Sequence, residues 1–489
     1  MPKMRSSDVL AGGWAKLVYY TLGALHDFAY FGYITVQPLI FKRVLDTMPP
    51  FKAHSFGITV FIISTHLFWQ VLLETPTGAY ADSKGRMRAV RDHFLIRVGC
   101  MLLLLVAIHL SVNPTTQYAP WLMLGCLFVI EFGMAAAEAL LSGSFDAWLV
   151  DTLAASGQKD EAGQTFSKAA TLFNVAILLA MPTFIYLIEG GGAALFASAY
   201  NAAYFVTGFI AIVFVIGAML AHASRREIYR IGHEWNTRSA ATIKSTWDDG
   251  LNYLRSDRIV WWTTLLRAAP FAAWVVISWF WPILVRYSSD SSPLAPDTPA
   301  IQHLAIGLAV ALAISRIAGS TVSFFVQRLT GSLGGLLSGT IFNLFMAVFA
   351  ALSLFYVHKS LVATLVRDGS NPESSAWLAP ALFFGGAMVL AKGSEEVVKV
   401  LNQVFLAQYV ATDTVRATVI SFTEAVTSLI GFILINVGLI VTLTQQPQNK
   451  APSLLLFAAC SGVVLATVAG LMLRRIVTRA PVPAAGVAD

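Results

Sequence analysis

The feature that most constrains this chain is the recurrence of apolar runs, each about 20 residues or longer, along almost its whole length. Runs fall at about 14–41, 55–80, 93–112, 118–150, 164–188 and 194–222, and again at about 259–287, 301–328, 332–357, 376–410, 413–443 and 452–473. Twenty helical residues rise about 30 Å, the thickness of the hydrocarbon core of a bilayer. The period-two alternation of an outer-membrane barrel is absent. With 56% hydrophobic and only 12% charged residues, the chain has too few charges to cover the surface of a soluble protein of its size. The expected fold is an all-α polytopic membrane protein with twelve transmembrane helices.

Between the sixth and seventh runs the sequence turns polar and basic. Ile243, Trp247, Leu251 and Leu254 recur there at helical spacing, which predicts an amphipathic helix lying on the membrane face. The expected organisation is therefore an N-terminal six-helix bundle (1–222), a linker (223–258) and a C-terminal six-helix bundle (259–489), the two bundles being pseudo-symmetric. Lys and Arg are roughly three times as numerous in the termini and even-numbered loops as in the odd-numbered loops, which puts both termini and the linker in the cytoplasm. The opening MPKMRSSDVLAGG is followed by an apolar run without a small-residue cleavage site, so a retained first helix is expected.

The net charge of +6 comes from basic residues flanking apolar runs. That suits membrane topology and points to no nucleic-acid partner. Cys100, Cys126 and Cys460 lie inside apolar runs and read as packing residues, with no disulfide framework or metal spacing.

Gly78-x-x-x-Asp82-x-x-Gly85-Arg86-x-Arg88, between the second and third runs, resembles the signature between the second and third helices of the major facilitator superfamily. Gly78 would let two helices approach closely, and Gly85 would permit the chain reversal. The resemblance implies a latch: Asp82 holding the first half against span eleven near Arg416, and Arg86 or Arg88 pairing with Asp151. Ser83 and Met87 depart from the usual basic residues of that loop. Gln327-Arg328-Leu329-Thr330-Gly331 is a weak echo of the signature, and Ser142-Gly-Ser-Phe-Asp146-Ala-Trp-Leu-Val-Asp151 and Arg416-Ala-Thr-Val-Ile-Ser421 resemble text at the close of span four and the start of span eleven in bacterial facilitators.

An ionisable side chain at a helix centre costs about 2.5–3.5 kcal/mol, so each one inside a span is a functional candidate. These are Asp27, His66, Glu131, Glu138, Arg316, Lys392, Glu395, Glu396, Lys399 and Glu424. Spans six, nine and twelve hold none in their interiors. Arg97 and His109 of span three lie near its ends, where a long side chain can reach the interface. In the facilitator fold the third, sixth, ninth and twelfth helices lie outside the cavity, so this distribution supports a polar centre.

Glu131 and Glu138 share a helix face that Ser142 and Asp146 extend. Glu138 is expected to be the deeper of the two, and either could take up a proton or meet a cationic cargo. Asp27 lies about 18 Å along span one, near the membrane midplane, where it could take up a proton or bind the cargo and where His66 could reach it. Lys392 with Glu396 and Glu395 with Lys399 are i, i+4 pairs that can neutralise one another, with Lys392 the candidate cargo contact. Arg316 could pair with Glu424.

No nucleotide-binding G-x-x-x-x-G-K-[ST] run, G-x-S-x-G elbow or H-E-x-x-H helix occurs, so neither an enzyme nor a nucleotide-driven pump is expected, and no cofactor or metal. The expectation is a monomeric secondary transporter of the bacterial inner membrane, coupled to protons and working by alternating access. Export of an amphipathic small molecule fits the acidic first half and the tryptophans Trp261, Trp262, Trp274 and Trp279. The glycine-rich signature of proton-exchanging exporters is missing around Ala180-Met181-Pro182. Import of a metabolite is therefore the alternative, followed by a non-transporting sensor or scaffold.

Overall fold

The computed structural model describes residues 6–114, 116–142, 144–158, 161–190, 195–196, 198–228, 256–290, 336–350, 413–442 and 447–479, with scattered positions between them. The chain is helical throughout these residues. In order come α1 (Ser6–Asp46), α2 (Pro49–Lys52), α3 (Ser55–Lys84), α4 (Arg86–Val112), α5 (Ala119–Leu141), α6 (Ser144–Ala155), α7 (Ala162–Ile185), α8 (Ala199–Ile228) and α9 (Arg258–Asp290). They are followed by α10 (Leu336–Ala350), α11 (Asp413–Thr442) and α12 (Pro447–Arg479). Among the described residues, eight helical stretches are long and apolar enough to cross a bilayer, which makes this a multi-pass membrane protein. The 41-residue α1 is not among the eight. Its Lys16, His26, Asp27 and Gln37 lower its hydropathy.

Prolines punctuate the helices that surround the centre. Pro38 in α1 has no N–H to give the carbonyl of Ile34, one turn back. Pro182 in α7 precedes a π-helical turn, Tyr186–Gly190, into which the helix runs, as expected where the i→i+4 ladder is broken. Between α3 and α4 the chain reverses on one residue. Gly85 caps both helices with φ 101° and ψ 131°, a conformation open essentially only to glycine. Its amide bonds the Ala81 carbonyl and its carbonyl accepts from the amides of Arg88 and Ala89.

In the first half, α4 packs on α5 and α8, α1 on α7, and α3 on α5; in the second half, α9 packs on α12 and α11. The two sets meet where α3 begins and α11 ends. There Asn436 donates to Ser64 Oγ at 3.0 Å, the Phe68 and Phe432 rings lie 5.6 Å apart, and Gly431 is wedged between Phe271 and Leu67. Ile243, Trp247, Leu251 and Leu254 of the helix expected in the linker, most of span eight including Arg316, the Gly331 echo, and Lys392, Glu396 and Lys399 lie outside the described residues.

Two expectations about packing are corrected. The stripe from Glu131 through Asp146 is not one helix face, because the helix breaks at Ser142 (φ −53°, ψ 118°) and α6 starts a new direction. Cys460 is exposed, whereas Cys100 and Cys126 are buried and all three thiols are free.

Candidate functional site

The site is built where α1, α3 and α5 of the first half face α9 of the second. Glu131 lies in the middle of α5 and is only 1% exposed. Gln37, one residue before Pro38 in α1, donates to its Oε1. His66 of α3 brings Nδ1 to 3.5 Å from Oε2. Both partners are themselves buried, so the carboxyl sits in a polar pocket supplied by three helices. Desolvation alone would make an ionised group there very costly, and these contacts offset part of that cost.

A small cavity opens against this group, lined by Tyr30, Tyr33, Ile34, Gln37, Ile63, His66, Glu131, Met134 and Trp279. It has room for about one water molecule. The Tyr33 hydroxyl is buried and has no hydrogen-bond partner among the described residues. Trp279 comes from α9 and meets the His66 ring edge-on at 5.4 Å. The cavity is therefore shared between the two halves, and aromatic rings form part of its wall.

The remaining candidates are distributed as follows. Asp27 bonds His26 Nδ1 at 2.8 Å. The partner expected for it, His66, turns instead to Glu131, on the side where α3 packs more extensively on α5 than on α1. Glu138 is not the deeper acid: its side chain is 27% exposed. Its partner is Arg97 of α4, a residue the sequence places near a span end. Arg97 is 0% exposed and lies over the Tyr30 ring at 4.1 Å, so it points into the bundle instead of reaching for the interface. The expectation that span three keeps its charges outside is thus wrong. His109 does lie exposed in the last turn of α4.

In the second half, the sequence reading passed over Arg267 of α9. Its side chain is 2% exposed and its Nη2 lies 2.8 Å from Glu395 Oε1 and 3.9 Å from Glu424 Oε2. Glu395 and Glu424 thus share a cation from another helix. Pairing along span ten had been expected to satisfy Glu395, and Arg316 to satisfy Glu424. Arg267 could have been recognised by its place nine residues into an apolar run. Of the tryptophans, Trp279 lines the cavity and Trp274 is buried, while Trp261 is exposed.

The loop signature is partly assembled. Arg86 Nη1 bonds Asp151 Oδ2 at 2.6 Å, and Gly85 makes the turn. Among the described residues, a Cβ on Gly78 would meet nothing within 4 Å. The side chains of Asp82 and Arg416 lie outside the described residues. On the same side of the bundle Tyr19 donates to Asp146 at 2.6 Å and Lys16 pairs with Glu161 at 2.6 Å, tying α1 to α6 and to the residue before α7.

No protein-family model and no curated protein sequence matches this chain. Solved structures do match it. The nucleoside transporter NupG superposes with a TM-score of 0.62 at 15% identity, over 94% of this chain and 99% of that one. A POT family transporter, PepTSo, gives 0.61 at 12% identity over 95% and 98%. A D-xylose-proton symporter gives 0.60 at 14% over 93% and 96%. The chain has the major facilitator fold.

Proposed function

We propose that this protein is a secondary transporter that moves a small amphipathic molecule across the inner membrane by alternating access, with protons as the coupling ion. The observation that carries the reading is the Glu131–Gln37–His66 group. It is a carboxyl buried at the junction of the halves, able to exchange a proton with an adjacent imidazole and opening on a cavity walled on one side by Trp279. A proton on Glu131 removes the buried charge, so protonation and cargo occupancy can bias the same two-state movement. The movable bodies are residues 1–222 and 259–489, joined by 223–258, with both termini cytoplasmic and one chain sufficient. Arg86 with Asp151, and Asp82 with Arg416, act as the latch. Export is the direction proposed, on the aromatic lining and the acidic group. Uptake is the second reading, favoured by the structural likeness to a protein described as a D-xylose-proton symporter.

The test is accumulation of fluorescent amphipathic cations in an efflux-deficient bacterial host carrying the protein or its Glu131→Gln variant, with and without a protonophore. Export predicts lower accumulation that disappears with the protonophore and in the variant. Higher accumulation with the same two dependences means uptake. No change with any compound, with the protein present in the membrane, removes the amphipathic cargo.

A further inference from the structure

Two turns along α5 from Glu131, and separated from the cavity by Tyr30, lies a second, partly buried group of ionisable side chains. His26 of α1 is buried and stacks on Tyr30, ring centroids 5.3 Å apart. Its Nδ1 is 2.8 Å from Asp27 Oδ1, and its Nε2 is 4.0 Å from Glu138 Oε2. Arg97 bonds Glu138 from the other side. His93 of α4 lies with its ring centroid 5.0 Å from that of His26, and its Nδ1 is 2.6 Å from the Ala137 carbonyl oxygen.

The hydrogen-bond inventory fixes much of the protonation. A carbonyl oxygen only accepts, so His93 carries a proton on Nδ1 to donate to it, and its Nε2 is buried without a partner among the described residues. His93 is thus committed as a neutral structural ring. His26 differs: its Nδ1 lies against Asp27, and its Nε2, which has no hydrogen-bond partner among the described residues, has the Glu138 carboxylate 4.0 Å away. A neutral imidazole turns a lone pair toward one of the two carboxylates, while an imidazolium bonds Asp27 and sets its positive charge within ion-pair distance of Glu138 as well. The charges agree. Asp27 and Glu138, both partly buried, against the fully buried Arg97 leave one excess negative charge, and one proton balances it. The other groups in reach are Tyr30 on α1, His66 of α3 toward Glu138, and Tyr19 with Asp146 toward Asp27. Phe94 of α4 and Phe214 of α8 close the cluster with apolar rings.

We infer that the His26–Asp27–Glu138–Arg97 cluster binds a proton of its own, held on His26, distinct from the proton at Glu131. The first half then has two proton-binding sites about 10 Å apart along α5 by helix rise, one on each side of Tyr30. The first opens on the small cavity shared with α9, whose lining includes none of His26, Asp27, Arg97 and Glu138. The inference depends on neither the cargo nor the direction of transport.

The test is nitrogen NMR of the full chain in lipid nanodiscs at neutral pH, with its nine histidines labelled at the ring nitrogens. One ring with both nitrogens protonated is expected, absent in His26→Asn and retained in Glu131→Gln. Asp27→Asn, which keeps the shape and all nine rings, should turn that ring neutral. A His26 ring that carries a single proton in the unaltered chain overturns the inference. So does a doubly protonated ring that becomes neutral in Glu131→Gln, because the two sites would then be one. A charged His26 in a chain that shows no proton-coupled transport leaves this site standing and removes only the coupling role of Glu131.

Discussion

Replacing Arg97 should destabilise the first half more than any exposed charge change can. Arg97 is wholly buried, bonds Glu138, and lies over Tyr30 at 4.1 Å. Breaking a buried pair by removing one partner costs about 3–5 kcal/mol, since the other charge stays behind without its counterion. Arg97→Met leaves a carboxylate whose side chain is still 27% exposed, which favours the lower end of that range. Loss of the guanidinium–ring contact adds about 0.5–2 kcal/mol. Glu138→Leu leaves a fully buried guanidinium and should cost close to 5 kcal/mol. The double variant Arg97→Met/Glu138→Leu leaves neither charge stranded and should cost less than either single one. Denaturant unfolding of the purified proteins in micelles, followed by tryptophan fluorescence, gives the four corners of the cycle. The coupling should exceed about 2 kcal/mol. A cost below about 1 kcal/mol for Arg97→Met, the worth of a surface pair, would mean that the side chain reaches the interface and that the inward pairing is wrong.

The other packing consequences can be read in the same unfolding assay. Gly462→Ala places a methyl 2.3 Å from the Ala269 carbonyl oxygen, where backbone must move, and should cost about 1–3 kcal/mol. Gly125→Ala, with nothing within 4 Å, should be neutral or stabilising by about 0.5–1 kcal/mol, and equal effects at the two positions would refute the α9–α12 contact. Gly85→Ala should cost about 1–3 kcal/mol, because φ 101° is strained for any side chain. Asp151→Asn removes a pair whose side chains are 23% and 46% exposed, so stability should fall by less than about 1 kcal/mol. A larger loss would mean that this pair holds the fold together instead of setting the balance between states.

The span pattern and the turn at Gly85 were legible in the sequence, because hydropathy and glycine act locally, whereas the Arg86–Asp151 pair, 65 residues apart, was legible only through the resemblance of its loop to a known signature. Helix rotation is not local, and every misplaced partner follows from it. His66 was within reach of Asp27 by height alone, yet the packing of α3 on α5 turns it to Glu131. Arg97 looked like an interfacial side chain from its distance to the span end. Its direction depends on Glu138 and Tyr30, which belong to other helices. Arg267 was hidden for the same reason: its counterions come from segments more than a hundred residues away. Glu131 was recognised as a candidate, but its greater enclosure depends on Gln37, an uncharged residue that no search for buried charge would find.

The central claim is that a proton on Glu131 shifts the balance between the two open states. It can be tested without knowing the cargo, by measuring the distance between spin labels at Lys52→Cys and Val441→Cys in a chain lacking its native cysteines. Both positions are exposed at the end where α3 meets α11. The account predicts a short distance at high pH, a longer population at low pH, and the low-pH distribution at every pH in Glu131→Gln. A distribution that ignores both pH and this substitution would contradict it.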